Sequence, residues 1–362
     1  MSASAGQARL GGTILIMAGG TGGHVFPGLA VADEMRGRGW KVVWMGARGG
    51  LEARLVPAHG YPVAWIRAAA LRGKGLAAKL LLPLNLLIGF WQSARAILHH
   101  RPDVVLGMGG YVAFPGGMMA ALLARPLAVH EQNAIAGLAN RVLAGVADKS
   151  LAAFPDALKN AEWTGNPVRV EIAAIAEPAA RYAGRNGPLR ILVVGGSLGA
   201  QALNEIVPKA LGLMAATERP VVTHQAGEKH LDSLRLNYSS ANVKGELVPF
   251  IEDMARRYAE ADLVICRAGA MTIAELSAGG MASVLVPYPH AVDDHQTANA
   301  RFLSGKGAAI LLPQSSLTPE KLSELLRTLD RSALLEMARR ARALGKPEAT
   351  RIVADRCVEL AR

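Results

Sequence analysis

A glycine-rich turn that ends on a histidine, Gly19-Gly-Thr-Gly-Gly-His24, is the first place where this chain could do chemistry. The backbone N–H groups of such a turn, followed by a helix, can converge on an anion. The same glycines would also serve a tight turn that binds nothing. His24 carries an imidazole whose ordinary pKa suits proton transfer near neutrality. A dinucleotide fingerprint fits badly. Gly20 and Gly22 begin G-x-G-x-x-G, but Val25 holds the last place, and Met45-Gly-Ala-Arg48 lacks the ribose-binding acid. No Gly-Lys-Ser/Thr follows, which excludes a P-loop.

A second acid–base candidate is Glu131, in the polar cluster His130-Glu-Gln-Asn133 that follows the apolar Leu127-Ala-Val129. The segment Arg267–Glu275 reads as a strand end running into a helix. Gly269 permits a tight backbone, and Thr272 offers a hydroxyl and an N–H at a helix start that suits a diphosphate. Glu275 falls on the first turn or just beyond, where an acid also simply favours the helix dipole. In Asp293-Asp-His-Gln-Thr-Ala-Asn299 the carboxylates and His295 are contiguous rather than at helical ligand spacing, so no metal site is expected. Asp294 reads as a helix N-cap. Gln296 and Asn299, three apart on one helix face, suit sugar hydroxyls or plain solvation.

The elements that must carry these residues repeat. Residues 13–18 read as a buried strand, Leu29–Met35 as a helix and Lys41–Met45 as a strand, a βαβ unit. The pattern restarts with a strand at Arg190–Val194, a glycine turn at Gly195–Gly199 and a helix from Gln201 to Leu211. The expectation is an α/β chain of two Rossmann-like halves. Apolar strands are followed at once by polar or glycine clusters, at Gly107-Met-Gly-Gly-Tyr111 and Pro287–Gln296 as well as at the sites above. In parallel sheets ligands bind beyond the carboxyl ends of the strands, and two such sheets face to face would build one cleft. Residues 176–188 read as a loop near the join. The helical runs Ser332–Leu344 and Ala349–Leu360 could pack on either half.

Composition bounds the partners. The chain has 362 residues, enough for two domains, and 51% of them are hydrophobic. The formal charge of +11 points to an anionic partner. With only Cys266 and Cys357, neither a disulfide scaffold nor a cysteine zinc site is expected, and the cytoplasm fits. The N-terminus does not read as a signal peptide. The stretch most like a membrane span, Leu76–Trp91, is interrupted by Lys79, Pro83 and Asn85. Between Glu52 and Asp103 there is no acid, but there are Arg54, Arg67, Arg72, Lys74, Lys79, Arg95 and Arg101, with Leu80, Leu84, Leu87, Ile88 and Trp91 near helical spacing. Basic residues flanking an apolar helix are the composition of an interfacial element. A buried helix with a basic rim is the plainer alternative. Nucleic acid is disfavoured, because the interleaved residues are aliphatic rather than stacking aromatics.

Taken together, the segments resemble the MurG family, bacterial UDP-N-acetylglucosamine transferases of the glycosyltransferase family 28 type. The resemblance is carried by MAGGTGGHVFPGLAVA (17–32), LRGKG (71–75), PDVVLGMGGYV (102–112), HEQNAIAG (130–137), GNPVR (165–169), VVGGSLGA (193–200), CRAGAMTIAEL (266–276) and DDHQTANA (293–300). It implies a GT-B fold, two Rossmann-like domains with parallel sheets facing a cleft. Residues 1–168 would be the acceptor and membrane domain, 169–345 the UDP-GlcNAc domain, and a last helix in 346–362 would pack back on the first. GNPVR would mark the hinge. The implied reaction is inverting and needs neither metal nor cofactor. GlcNAc passes from UDP-GlcNAc to the C4 hydroxyl of the MurNAc of a polyprenyl-linked acceptor, lipid I, giving lipid II for peptidoglycan.

The resemblance also implies donor contacts from Thr21, Gly22, Gly23, Asn133, Arg169, Ser197, Ile251, Ala270, Met271, Thr272, Ile273, Ala274, Glu275 and Gln296. Uracil would lie near Phe250–Met254, ribose at Glu275, and the GlcNAc hydroxyls at Gln296 and Asn299. His24 is the first choice of base and Glu131 the second. Leu198 and Met271 stand where the family often has Gln and Leu. The implied partners are UDP-GlcNAc, lipid I, an anionic membrane surface and other cell-wall synthesis proteins, with no nucleic acid. The implied place is the cytoplasmic face of the plasma membrane, held peripherally. Alternatives are another GT-B enzyme (a glycolipid synthase or a UDP-sugar epimerase), a Rossmann-type oxidoreductase, or a nucleotide-sugar-binding protein without catalysis.

Overall fold

The computed structural model of the chain describes residues 11–68, 82–196 and 199–361. Ser197, Leu198, the LRGKG segment with Arg72 and Lys74, and Lys79 to Leu81 lie outside the described residues. Contacts divide the chain into two units. The first is Met1–Val168 with Glu348–Arg362, and the second is Arg169–Pro347.

The first unit is built on β1 (Thr13–Ala18), β2 (Lys41–Gly46), β3 (Val63–Trp65), β4 (Val104–Gly109), β5 (Leu127–Glu131), β6 (Lys149–Ala152) and β7 (Glu162–Trp163). They form one parallel sheet in the order β3-β2-β1-β4-β5-β6-β7. β1 is apolar from Ile14 to Ala18, and both of its faces are covered. Ile14, Ile16 and Ala18 face a core that includes Val25, Leu29 and Met35, together with Val353, Ala354, Cys357 and Val358 of the last helix, Ala349–Leu360. Leu15 and Met17 face the other core, with Ile97, Ala113 and Ala120. The last helix therefore belongs to the first unit, where Arg38–Asp355 at 2.6 Å and Arg356–Glu162 at 2.8 Å also fasten it.

The second unit holds β8 (Arg190–Val194), β9 (Val221–Gln225), β10 (Glu246–Val248), β11 (Leu263–Cys266), β12 (Ser283–Leu285) and β13 (Ile310–Leu311). These too are parallel, in the order β10-β9-β8-β11-β12-β13. Leu334 and Ala338 of the helix Arg331–Leu344 enter its core beside Val193 and Val284. In each sheet the strand order reverses at the first strand: β1 lies between β2 and β4, and β8 between β9 and β11. At such switch points successive loops leave on opposite sides and open a crevice at the strand ends.

Two expectations need correction. The helix after β1 spans Gly22–Gly37, beginning well before Leu29. Thr21 O accepts from His24 N at 3.1 Å and Val25 N at 3.2 Å, so the glycines and the histidine form its first turn. Pro27 sits inside this helix, and Gly28 lies so close to the Trp44 ring that a Cβ would stand 2.7 Å from it. Tertiary packing thus holds a helix through residues that read locally as turn. The segment 176–188 is likewise not all loop, for Pro178–Tyr182 is helical.

Candidate functional site

In the first unit the site begins where β1 and β4 end. Their register shifts between Met17 and Ala18, so Ala18 pairs with Gly109. The turns Gly19–His24 and Gly107–Tyr111 then pack against each other with no room for side chains. A Cβ on Gly110 would stand 2.2 Å from the carbonyl oxygen of Gly19, and Gly109 and Gly110 have φ of +97° and +80°. A Cβ on Gly109 would meet the His24 ring at 2.9 Å. His24 is thereby seated on bare backbone.

Glu52, fully buried, accepts from Gly20 N at 2.9 Å and from Ala47 N at 3.1 Å. One amide that the glycine turn offered to an anion is therefore already occupied. Gly22 and Gly23 remain as the first residues of the Gly22–Gly37 helix, whose N-cap Thr21 makes no side-chain cap bond. First-turn N–H groups have no intrahelical acceptor, so these two are the ones placed to meet an anion.

After β5 the polar cluster turns inward. His130, Glu131 and Gln132 are all buried. The carboxylate of Glu131 accepts from Asn133 N (2.8 Å), Asn133 Nδ2 (3.3 Å), Gly137 N (3.2 Å) and Asn140 Nδ2 (2.8 Å). Four donors use up its lone-pair positions. Glu131, the second candidate base, thus ties the loop 131–140 together. Asn133, half-buried, is held in that same loop. His24 Nδ1 lies 2.9 Å from Gln132 Oε1. Gln132 Nε2 lies 3.1 Å from His130 Nδ1 and 3.0 Å from His130 O, and His130 Nε2 lies 2.9 Å from Gly165 O. Burial pushes the His130 pKa down to about 4, against the bond to Gly165.

In the second unit the helix Ala270–Gly279 starts directly after β11, with Gly269 as an N-cap that lends no side chain. Its first N–H groups, from Ala270, Met271 and Thr272, form an uncapped helix end just past β11, the neighbour of the switch-point strand β8. Ile273 is buried, so only its backbone can serve a ligand, while Met271, Thr272 and Ala274 are half-buried. Glu275 lies in the second turn, past the reach of a simple N-terminal charge effect. Its carboxylate pairs with Arg169 at 3.1 Å and accepts from Tyr258 OH at 3.2 Å. Burial raises the Glu275 pKa above the ordinary carboxylate value, and Arg169 and Tyr258 oppose the rise. The Glu275 side chain is 13% exposed and that of Arg169 46%, so the pair lies at the edge of solvent.

Gln296 accepts with Oε1 from Ala268 N at 3.3 Å and Tyr288 N at 2.9 Å. Asn299 is fully buried and donates to Ala268 O at 3.2 Å. The two do share a helix face, but Asn299 braces the loop after β11 and is too deep to meet a sugar. Asp294 is also corrected. It occupies the N-cap position with φ +51°, yet its side chain accepts from Thr297 Oγ1 at 2.7 Å and caps no backbone N–H. Ile251 is half-buried in the loop between β10 and the helix Met254–Glu260, which Asp253 caps through Arg256 N at 3.0 Å. Ser197 is outside the described residues; a Cβ on Gly199 would stand 2.0 Å from Ala226 O.

Glu52 and Tyr258 lie outside the quoted motifs, and Gln132 lies inside HEQNAIAG without being singled out; each acts on a partner distant in sequence. Among the described residues no group of three or more His, Cys, Asp or Glu could hold a metal ion. No helix among them is long and apolar enough to cross a membrane. The helix Leu82–His100 has two unlike faces. Gly89, Ser93 and Ile97 are buried, while Leu84, Leu87, Trp91 and Leu98 are each more than half exposed, with Arg95 over the Trp91 ring.

Residues 14–152 match the glycosyltransferase family 28 N-terminal domain and residues 190–353 its C-terminal domain. The chain is 66% identical to the UDP-N-acetylglucosamine--N-acetylmuramyl-(pentapeptide) pyrophosphoryl-undecaprenol N-acetylglucosamine transferase of Aromatoleum aromaticum, covering 96% of this chain and 98% of that one. It is 64% identical to the transferase of the same description from Cupriavidus necator, over 97% of this chain and 98% of the relative. Among solved structures, Acinetobacter baumannii MurG is similar at a TM-score of 0.85 and 42% identity, over 96% of this chain and 99% of that one.

Proposed function

The chain belongs to glycosyltransferase family 28, and from that membership and the geometry of its strand ends we propose how it moves N-acetylglucosamine from UDP-GlcNAc to lipid I, giving lipid II. The transfer itself is carried by one observation: identity above 60% to transferases of that name over nearly the full length of both chains. The roles of individual residues are those the family resemblance implies, taken where the geometry is compatible with them.

The acceptor hydroxyl attacks the anomeric carbon, the bond from that carbon to the diphosphate breaks, and UDP leaves with the electron pair. The hydroxyl proton goes to His24. Its ring is seated against Gly109 beside a helix N-terminus and is hydrogen-bonded from one side only among the described residues. Gly22 and Gly23 offer N–H groups to an anionic part of a substrate, with Thr21 and Asn133 beside them. In the second unit the uncapped start of Ala270–Gly279 stabilises charge on the departing diphosphate. Glu275, braced by Tyr258 and Arg169, accepts from ribose hydroxyls. Ile251 borders the base, and Gln296, its oxygen already engaged, offers its amide N–H to the sugar. Positive dipole ends and Arg169 supply the electrostatics that a divalent cation supplies in other transferases, so turnover needs no metal. The helix Leu82–His100 rests its exposed Leu84, Leu87 and Trp91 on anionic membrane, where the acceptor's lipid keeps it.

The direct test incubates the protein with UDP-GlcNAc and a lipid I analogue in EDTA. The disaccharide lipid should form at the rate seen without chelator. Loss of product in EDTA, restored by magnesium or manganese, would overturn the metal-free reading and leave the transfer intact.

A further inference from the structure

The hydrogen-bond chain behind His24 has a direction, and that direction can be worked out from one end. A peptide carbonyl only accepts, so the 2.9 Å contact to Gly165 O requires a hydrogen on His130 Nε2. His130 is buried, with its pKa pushed down to about 4, and is neutral near pH 7, which leaves Nδ1 an acceptor. One end of the Gln132 amide faces two acceptors, His130 Nδ1 at 3.1 Å and His130 O at 3.0 Å. That end must be the NH2, and both its hydrogens are used. The other end is therefore the oxygen, and it faces His24 Nδ1 at 2.9 Å. An amide oxygen only accepts, so His24 Nδ1 carries a hydrogen. A neutral His24 then has its lone pair on Nε2, which no described residue engages.

We propose that Gln132 is a positioning residue for transfer: oriented by buried His130 and the Gly165 carbonyl, it fixes His24 as the Nδ1–H tautomer and so makes Nε2 the proton-accepting atom. The inference rests on the reading of His24 as base, but its first readout does not depend on catalysis. A neutral imidazole in water exchanges between two tautomers, only one of which presents a basic nitrogen to the acceptor. A buried, fully satisfied amide removes the unproductive one without adding charge beside the ring. A carboxylate in the same place would orient the ring equally well but would raise its pKa.

The test uses the full-length protein labelled with nitrogen-15 at histidine, with the His24 ring signals assigned by their loss in His24→Gln. Long-range proton–nitrogen spectra near neutral pH should show Nδ1 protonated and Nε2 bare. In Gln132→Met the ring should become a mixture of tautomers. kcat should fall about tenfold or more, as expected for loss of one oriented hydrogen bond at the reacting group, with KM for UDP-GlcNAc unchanged. Gln132→Glu keeps an acceptor on Nδ1. It should restore a single tautomer, recover most of kcat at high pH, and move the acid limb of the pH–rate profile upward. A wild-type ring protonated on Nε2, or a tautomer unchanged in folded Gln132→Met, overturns the proposal. Should the tautomer behave as stated while His24→Ala keeps its turnover, the relay stands and the reading of His24 as base falls.

Discussion

The end of β5 and the loop after it bury the polar side chains of His130, Glu131 and Gln132 behind the half-buried His24. Glu131 is satisfied by N–H donors, and His130 and Gln132 by neutral hydrogen bonds. The helix after β11 instead holds Glu275 in an ion pair with Arg169, a residue ahead of β8, at the edge of solvent. Both sheets have the same parallel order around a switch point, so the difference lies in the loops and not in the fold. Neutral, buried, directional bonds are what orienting a proton acceptor requires. Charges at a helix start are what holding and releasing a nucleoside diphosphate requires. The contrast separates turnover from donor grip, and it can be broken by mutating one side at a time.

The largest effect should come from His24→Ala. A positioned general base contributes roughly 10²–10⁴-fold, so kcat should fall by about that factor while UDP-GlcNAc binding, read by calorimetry, stays within about twofold of wild type. Near-wild-type turnover in a folded His24→Ala protein would move the search for a base elsewhere in the first unit.

Each unit also has a buried histidine, and comparing the two sharpens the contrast. His130 is held down to about 4 at the site, and His224, between Tyr238 OH and Asn204 Oδ1 at 3.1 Å each, down to about 3 in the other core. Unfolded histidine titrates near 6.5. Between about 6.5 and these depressed values the unfolded chain binds protons that the folded one does not. Stability is therefore fully present above about 6.5 and is lost as pH falls, by about 2 kcal/mol per histidine at pH 5. Trp40, Trp44, Trp65, Trp91 and Trp163, all the tryptophans of the chain, lie in the first unit. Urea unfolding followed by tryptophan fluorescence should lose part of its pH slope in His130→Gln and keep it in His224→Gln. The reverse pattern would show that the burial of the two rings has been misjudged.

The third effect belongs to donor grip. Glu275→Ala should weaken UDP-GlcNAc binding roughly 10–100-fold, the value of hydrogen bonds to a charged group, and change kcat at saturating donor much less. Because burial raises the Glu275 pKa, the carboxylate protonates at a higher pH than an ordinary glutamate. Wild-type donor affinity should decline in mild acid, while Glu275→Gln, already uncharged, should stay flat over the same range. A wild-type affinity that does not change there, or a Glu275→Ala protein with full affinity, would remove Glu275 from the donor site.

These side chains differ in how readable they were. The strands β1, β2, β4, β5, β8 and β11 are apolar runs ending in glycine or polar clusters, and the second βαβ start at Arg190 repeats the first, so the α/β plan was legible. So were His24 and the helix start after β11, because glycines beside a strand end announce a close backbone approach. The start of the first helix was not. Gly-Gly-His and Pro27 signal a turn locally, and only packing of Gly28 on Trp44 makes that stretch helical. Glu131 and Asn299 carry polar, catalytic-looking side chains, but burial turns both into braces. Gln132 reaches His24 across 108 residues and Glu52 reaches Gly20 across 32, and no spacing rule contains such distances.

The smallest effect tests whether the comparison omits a third region, the outer face of Leu82–His100. Leu84, Leu87 and Trp91 recur at three- and four-residue steps and all are exposed, while Gly89, Ser93 and Ile97 on the same helix are buried. An ordinary core helix would leave no such row of large apolar side chains in water. The same stretch of sequence, from Glu52 to Asp103, has seven Lys or Arg and no acid between its ends. Basic residues near an anionic surface contribute about 1 kcal/mol each, and shallow insertion of Leu and Trp adds to that. Leu87→Ser with Trp91→Ser should lower binding to vesicles containing phosphatidylglycerol about tenfold. The exposed positions leave the urea midpoint nearly unchanged, and transfer to a short-chain, water-soluble acceptor should persist. Binding of the wild type should also weaken as salt rises, because the basic residues are screened. Salt-insensitive binding to neutral vesicles would point to insertion alone. Undiminished binding by the double variant would return this helix to the status of a core element with an oily rim.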